Sequence, residues 1–175
     1  MGLFNIFKKK KNKVTDITDD SATSFRSDKA EWQWHSAEKY YCEQFNKSPD
    51  RLTEGDKTII WGFAGNHIAF FLTWLIRHDF LGEIHLEDSE KNDIEAVKSK
   101  TMTGTEYLIN NCDMVLCRED ISANALPFVD SYYDTKYMDD YGEYMKDKVL
   151  STVFSWDDYE GFEPILDKAY REYSQ

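Results

Sequence analysis

The sequence predicts a mainly α fold, a single compact helical domain with room for one short strand or hairpin. Two observations lead to this prediction. Apolar residues recur at helical spacing in several segments that start with capping residues, and no long segment alternates apolar and polar residues as a half-buried strand does. The 175 residues, of which 41% are hydrophobic, suffice for one domain with its own core.

Residues 1–27 are expected to form a flexible basic tail and linker, and residues 28–175 the helical domain. The first thirteen residues contain five lysines and no acid, and the next stretch is rich in Thr, Asp and Ser. The short apolar start differs from a secretion signal, and Ile6 stands where N-myristoylation requires Ser or Thr. We expect a solubilising tail, with weak contact to an anionic membrane surface as the alternative.

The most apolar stretch, residues 58–76, carries no formal charge and is nearly long enough to span a membrane. Glycines and Asn66 lie in its middle, where polar groups are costly in lipid, so a membrane span is disfavoured. We instead expect an extended or turn segment at residues 59–63. A buried central helix is expected to follow over residues 67–80, with Asn66 as its N-cap.

Two helices with readable starts follow. Asp88 is placed to cap a segment that ends near Lys98. Thr103 and Glu106 have the form of a capping box, in which each side chain accepts a hydrogen bond from the other residue's backbone N–H. Helical spacing of apolar residues then continues to Val115, which predicts a helix up to that residue.

The C-terminal third of the sequence predicts the remaining elements. Residues 122–144 are expected to form one or two helices, with a break at residues 134–136. Ser155 starts a last helix, in which Pro164 must either produce a kink or mark a second start. Residues 149–154 are rich in β-branched side chains and are the candidate short strand.

The charge and the cysteine content restrict the classes of function that the chain can have. The chain has 21 basic and 33 acidic residues, a net charge of -12; without the five N-terminal lysines, 16 basic residues remain against 33 acidic ones, or -17. Such acidity argues against nucleic-acid binding through the folded domain and favours a basic protein partner. The spacing of Cys42, Cys112 and Cys117 matches neither a zinc knuckle nor a redox pair, so reduced thiols and a cytoplasmic location are expected.

Three blocks of sequence resemble a known family. They are Asp-Lys-Ala-Glu-Trp at residues 28–32, His-Ile followed by Phe-Leu-Thr-Trp-Leu-Ile at residues 67–76, and Met-Thr-Gly-Thr-Glu-Tyr-Leu at residues 102–108. In this order they resemble an uncharacterised bacterial domain family, over residues 28–173. The resemblance implies a mainly helical cytoplasmic domain, and the family has no established activity.

A tyrosine-rich segment is the candidate binding surface. Tyr133, Tyr137 and Tyr141 recur every four residues and would form one stripe on a continuous helix, with Asp140 and Glu143 nearby. Tyrosine rings supply contact area and cation–π capacity, and carboxylates attract a cationic partner. The alternative is that the tyrosines pack inward with their hydroxyls at the rim of the core.

The histidines offer weaker candidates. His67, together with Trp32 and Trp74, is a possible pocket, although a hydrogen-bonded histidine at a helix start is the simpler interpretation. The densest group of histidines and acids comprises His78, Asp79, Glu83, His85 and Glu87. Imidazole and carboxylate suit zinc or manganese, but the group has no recognised metal-binding spacing. The sequence therefore predicts no metal, no cofactor and no catalytic residue.

A non-enzymatic protein-binding module is the function that the sequence favours. One form is an immunity protein that occludes a cationic toxin through the acidic, tyrosine-rich face. One alternative is a metal-dependent or histidine-based hydrolase that uses His67 or the group around His85. The other is a peripheral membrane adaptor, anchored by Leu3, Phe4, Ile6 and Phe7 and the lysines that follow.

Overall fold

A computed structural model describes residues 24–175 of the chain. Within this part the fold is mainly α, as predicted, with two short strands. The elements are β1 Ser27–Lys29, α1 Trp34–Phe45, α2 Glu54–Arg77, α3 Asp88–Lys98, α4 Gly104–Cys112, β2 Val115–Cys117, α5 Leu126–Tyr132, α6 Met138–Met145 and α7 Trp156–Tyr173. Most of the predicted tail of residues 1–27 lies outside the described residues, as does its proposed membrane contact.

Helix α2 is the centre of the fold and is longer than the sequence predicted. Thr53 caps it, in a capping box with Asp56. The expected turn at residues 59–63 and the expected N-cap at Asn66 are wrong, because the helix continues through both. Its internal glycines serve close packing: a Cβ atom on Gly65 would lie 2.6 Å from the Cε atom of Met114.

Burial explains why α2 is so apolar. The helix is long and apolar enough to cross a membrane, but 89% of its most apolar window is buried inside the domain. Helices α1, α3, α4 and α7 pack around it. On one side, Phe70 makes edge contacts with the rings of Tyr141, Phe154 and Tyr159. These contacts place α2 as the core helix of a folded domain, as expected.

Helix α3 spans the predicted residues, but its predicted N-cap is wrong by one position, because Glu87 is the N-cap and Asp88 is the first helical residue. Helix α4 has the predicted capping box of Thr103 and Glu106. Helix α4 does not reach Val115, because Asp113 and Met114 adopt left-handed backbone angles with φ of 50° and 61°. The chain leaves the helix there and continues as β2.

The two strands form an antiparallel pair in which Asp28 lies opposite Leu116. Their residues are distant in sequence, so this is not a hairpin. The predicted strand at residues 149–154 is wrong; Leu150 there has φ of 58°, which breaks an extended conformation. Phe25, which precedes β1 and was assigned to the linker, is 1% exposed and belongs to the core.

The C-terminal helices lie where the sequence predicted helices, and the structure defines the two uncertain points. A π-helical turn, Tyr133–Tyr137, joins α5 to α6 at the place of the predicted break. The chain thus changes its hydrogen-bonding pattern without leaving the helix. Helix α7 starts at its N-cap Ser155 and runs through Pro164 without a second start.

Candidate functional site

The predicted tyrosine stripe faces the core. Tyr133 and Tyr141 are each 2% exposed and Tyr137 is fully buried. The rings of Tyr133 and Tyr137 meet Phe71 of α2 edge-on, at centroid distances of 4.7 and 4.9 Å. The stripe therefore cannot contact a partner, because the apolar surface of α2 already covers it. The spacing of four residues correctly predicted that the three tyrosines share one helix face, but this face points into the core.

The two acids of the predicted surface remain accessible. Asp140 accepts a hydrogen bond from the Tyr132 hydroxyl at 2.8 Å, and its carboxylate lies 3.8 Å from the ammonium group of Lys136. Glu143 is exposed. Both acids line a shallow groove of about 500 Å³, together with Tyr144, Lys146 and Ile165. The groove thus carries charges of both signs.

The predicted pocket of His67, Trp32 and Trp74 does not form. His67 is 2% exposed and Trp74 is fully buried, whereas Trp32 is 61% exposed in the short turn before α1. The Trp74 indole donates to Asp167 at 3.0 Å, which satisfies its N–H group inside the core. Two of the three residues are thus core residues and the third lies on the surface.

His67 belongs to a buried hydrogen-bonded cluster instead. Its Nε2 atom lies 3.0 Å from Oδ2 of Asp28, and the Tyr133 hydroxyl donates to the same oxygen at 2.9 Å. Burial raises the pKa of Asp28, but the hydrogen bond and electrostatic attraction of His67, together with hydrogen bonds from Tyr133 and the backbone of Lys29, outweigh burial and hold the pKa below its ordinary value. The cluster joins β1, α2 and the π-helical turn, which is a structural role.

His85 is the centre of the second buried cluster. It ends the short turn Glu83–His85 and is 1% exposed. Its Nδ1 atom lies 2.9 Å from Oε2 of Glu90, and its Nε2 atom lies 2.9 Å from Oδ1 of Asp120. The Tyr107 hydroxyl is 3.1 Å from Nδ1. Both imidazole nitrogens therefore face carboxylates inside the protein.

Cys112, the last residue of α4, completes this cluster. The ligand atoms of His85, Cys112 and Asp120 all lie within 4.8 Å of one another. Burial raises the pKa of the Cys112 thiol well above its ordinary value, and the carboxylates of Asp120 and Glu90 raise it further. The second carboxylate oxygen of Asp120 accepts the backbone N–H of Cys117. We call His85, Glu90, Cys112 and Asp120 the His85 cluster.

Two backbone segments meet to build the His85 cluster. The N–H of Gly82 donates to the carbonyl of Asp120 at 2.8 Å, and Leu81 forms an isolated antiparallel bridge with Ile121. A Cβ atom on Gly82 would lie only 2.0 Å from the carbonyl oxygen of Glu119. Glycine at position 82 therefore permits the contact that places the His85 turn beside Asp120.

Sequence reasoning found only one member of this cluster. His85 was in the predicted group of histidines and acids, but His78 of that group pairs with Asp167 at 3.0 Å. Asp120 lies 35 residues from His85 in sequence, and Cys112 belongs to another helix. No local motif could have connected these residues.

The exposed aromatic residues lie elsewhere. Among the described residues, the exposed aromatic side chains are Trp32, Tyr40, Phe45 and Tyr173. The first three belong to α1 and the turn before it. Tyr40 and the exposed Glu43 are three residues apart on α1, and Trp32 precedes Tyr40 by eight residues, so these three side chains lie on the same broad side of α1. Phe45, five residues after Tyr40, lies on another side and packs against the buried Tyr41 at a centroid distance of 4.6 Å. We call Trp32, Tyr40 and the exposed acids Glu31 and Glu43 the α1 face.

Comparison with known proteins places the chain in a family. The model of a domain of unknown function, DUF7832, matches residues 28–155. The chain belongs to this family. The expected membership of an uncharacterised domain family is thus confirmed, and the DUF7832 region includes the His85 cluster and the α1 face. No curated protein and no solved structure matches the chain.

Proposed function

We propose that this DUF7832 protein is a non-enzymatic protein-binding module that docks a basic partner protein on the α1 face. The observation that supports the proposal is the concentration of exposed rings on α1 and the turn before it. Three of the four exposed aromatic side chains in the described part lie there, and two of them, Trp32 and Tyr40, belong to the α1 face. Tryptophan and tyrosine are the residues that most often dominate binding energy in protein interfaces. Trp32, at 61% exposed, is the proposed anchor.

The charge of the molecule supports a basic partner. The chain carries a net charge of -12, and Glu31 and Glu43 flank the exposed rings. Carboxylates beside an indole ring suit an arginine or lysine, because the cation contacts the ring face while the acids attract it from a distance. Lys39 offsets part of this charge through a 4.0 Å ion pair with Glu43.

The burial of His67 and His85 supports binding over catalysis by these two residues. A general base must reach a bound substrate, yet His67 and His85 are 2% and 1% exposed. Neither histidine lines the groove at Asp140 or the second described groove, at Lys47. Three free cysteines suit the reducing cytoplasm, where we place the protein. Occlusion of a cationic toxin by an immunity protein is one function of this kind.

A site-specific photo-crosslinker tests the proposed surface. Tyr40 and Tyr173 are 47% and 48% exposed, so they form a matched pair on different helices. A benzophenone amino acid at position 40 is expected to capture a basic protein in the source cells, and the same group at position 173 is not. Mass spectrometry identifies the captured protein. Capture of acidic proteins, or equal capture at both positions, would contradict the proposal.

Substitutions then measure the contribution of the α1 face. Trp32→Ala combined with Tyr40→Ala is expected to weaken binding of the captured partner at least about tenfold, because both rings are proposed anchors. Glu143→Gln, in the groove on α6, is the control and is expected to leave the affinity unchanged. Titration calorimetry of folded variants gives both values, and the reverse pattern would move the binding site to the groove.

A further inference from the structure

We propose that His85, Asp120 and Cys112 bind a divalent transition metal ion of the zinc class. The three side chains supply the nitrogen, oxygen and sulfur donors that zinc accepts in proteins. They come from three separate segments, namely the turn Glu83–His85, the end of α4 and the turn Arg118–Asp120. All three ligand atoms lie within 4.8 Å of one another.

The distances between the ligand atoms are close to those around a single tetrahedral ion. Zinc lies about 2.0–2.3 Å from its ligand atoms, so two ligands of one ion are separated by roughly 3–4 Å. Nε2 of His85 and Oδ1 of Asp120 are 2.9 Å apart, and small side-chain rotations would open this distance and draw in the thiolate. Three protein ligands leave the fourth position for water.

Glu90 strengthens the assignment. A histidine that binds a metal through one nitrogen usually donates its other N–H to a carboxylate, which fixes the ring and increases its basicity. Here Nδ1 of His85 lies 2.9 Å from Oε2 of Glu90, on the far side of the ring from Asp120. The Tyr107 hydroxyl, 3.1 Å from the same nitrogen, further restricts the orientation of the imidazole ring.

Metal binding replaces the proton of the Cys112 thiol, which goes to solvent. The ion takes the position between Nε2 of His85 and Oδ1 of Asp120 in place of their hydrogen bond, and the carboxylates of Asp120 and Glu90 compensate its charge. Metal affinity therefore falls as the pH falls. Because the three ligands belong to three separate segments, the bound ion would link these segments. His85 is 1% exposed, so this link would lie in the interior and stabilise the fold.

Cobalt(II) is the probe for this site, since a thiolate ligand gives it a sulfur-to-metal charge-transfer band. The full chain, purified without a histidine tag and freed of metal, is expected to bind one cobalt ion with that band and with a higher melting temperature. Cys112→Ser is expected to remove the band. Cys42→Ser is the matched control, because Cys42 is also half-buried and free, and it is expected to keep the band.

A measurement on the unmutated protein covers the case in which Cys112→Ser fails to fold. Zinc is expected to slow alkylation of Cys112 at least about tenfold and to leave the rate at Cys42 unchanged, as read by mass spectrometry of peptides. The absence of stoichiometric cobalt uptake would overturn the proposal. A charge-transfer band that survives in folded Cys112→Ser, or equal zinc protection of both cysteines, would overturn it as well.

Discussion

The Tyr133 hydroxyl connects three parts of the fold through one carboxylate. It donates to Oδ2 of Asp28 in β1, the same oxygen that lies 3.0 Å from His67 of α2. Tyr133→Phe keeps the ring and removes this donor. We expect the free energy of unfolding to fall by about 1–2 kcal/mol, measured by urea denaturation. Tyr40→Phe, on an exposed tyrosine, is the control, and an equal loss in both variants would contradict this role.

Glycines in this fold differ in the space around them. A Cβ atom on Gly104, at the start of α4, would lie 2.0 Å from Oγ1 of Thr73 and 2.6 Å from the carbonyl oxygen of Ala69. Gly104→Ala must therefore push α4 away from α2, and we expect a loss of about 1–3 kcal/mol.

Gly142 in α6 provides the opposite case for the same substitution. A Cβ atom there would meet nothing within 4 Å. Gly142→Ala is expected to stabilise the protein by about 0.5–1 kcal/mol, because alanine loses less backbone entropy in a helix. Denaturant titration of both variants checks the pair. Stabilisation by Gly104→Ala would show that the contact between α2 and α4 is loose.

For some residues of the candidate site, the sequence alone could not predict the position in the fold. The spacing of Tyr133, Tyr137 and Tyr141 shows that they share a helix face, but periodicity does not say whether that face meets water or core. His85 and Asp120 come together only because Gly82 lets two turns touch. Both outcomes depend on tertiary contacts, which local spacing does not encode.

At the scale of the elements, helix starts were readable where a capping side chain precedes an apolar run. Thr103 before α4 and Ser155 before α7 were recognised in this way. The start of α2 was missed because its capping box uses Asp56, not Glu or Gln, at the third position. Its internal glycines then looked like a break, although they are sites of close packing.

The N-terminus of α2 gives a prediction about acid stability. The carboxylate of Asp56 accepts hydrogen bonds from Lys47 at 2.6 Å and from the backbone of Thr53 at 2.8 Å, and also from the Tyr41 hydroxyl. The hydrogen bond from Lys47, followed by that from Tyr41, lowers the pKa of Asp56 below its ordinary value of 3.8. Ionised Asp56 therefore stabilises the fold above that ordinary value, and the stabilisation is lost as the pH falls through the lowered pKa.

Asp56→Asn tests this linkage. The variant is expected to be less stable than the parent at neutral pH, and the difference should shrink as the pH falls below about 5, because Asp56 then becomes protonated first in the unfolded chain. Urea denaturation at a series of pH values measures both curves. Asp139→Asn, which alters an exposed acid on α6, is the control and should leave the pH dependence unchanged. A constant difference across the pH range would contradict the proposed linkage.

At the scale of the whole molecule, most aromatic rings lie inside and the acids cover the outside. The rings of Phe70, Phe71, Phe128 and Phe162 are fully or almost fully buried. The large apolar content that made α2 look like a membrane span is therefore used in the core. On the surface of the described part there remain many acidic side chains and four exposed aromatic rings, three of which lie on α1 or the turn before it.

The distribution of charge along the chain leads to a prediction about association rate. The net charge is -12, and deletion of residues 1–13 removes five lysines and no acid, which leaves -17. A more negative molecule attracts a basic partner from a greater distance. With the partner captured at position 40, the deletion is expected to raise the association rate constant on the order of two- to fivefold at about 20 mM salt.

Association rates measured at low and high salt distinguish long-range electrostatic attraction from direct contact between the tail and the partner. At about 0.5 M salt the Debye length is only a few ångströms, so the full chain and the deletion variant should associate at the same rate. The dissociation rate should be equal for both at every salt concentration, because the α1 face is intact in each. Stopped-flow fluorescence measures the rates. A deletion that slows association, or that speeds dissociation, would mean that the lysines contact the partner, and the steering argument would fail.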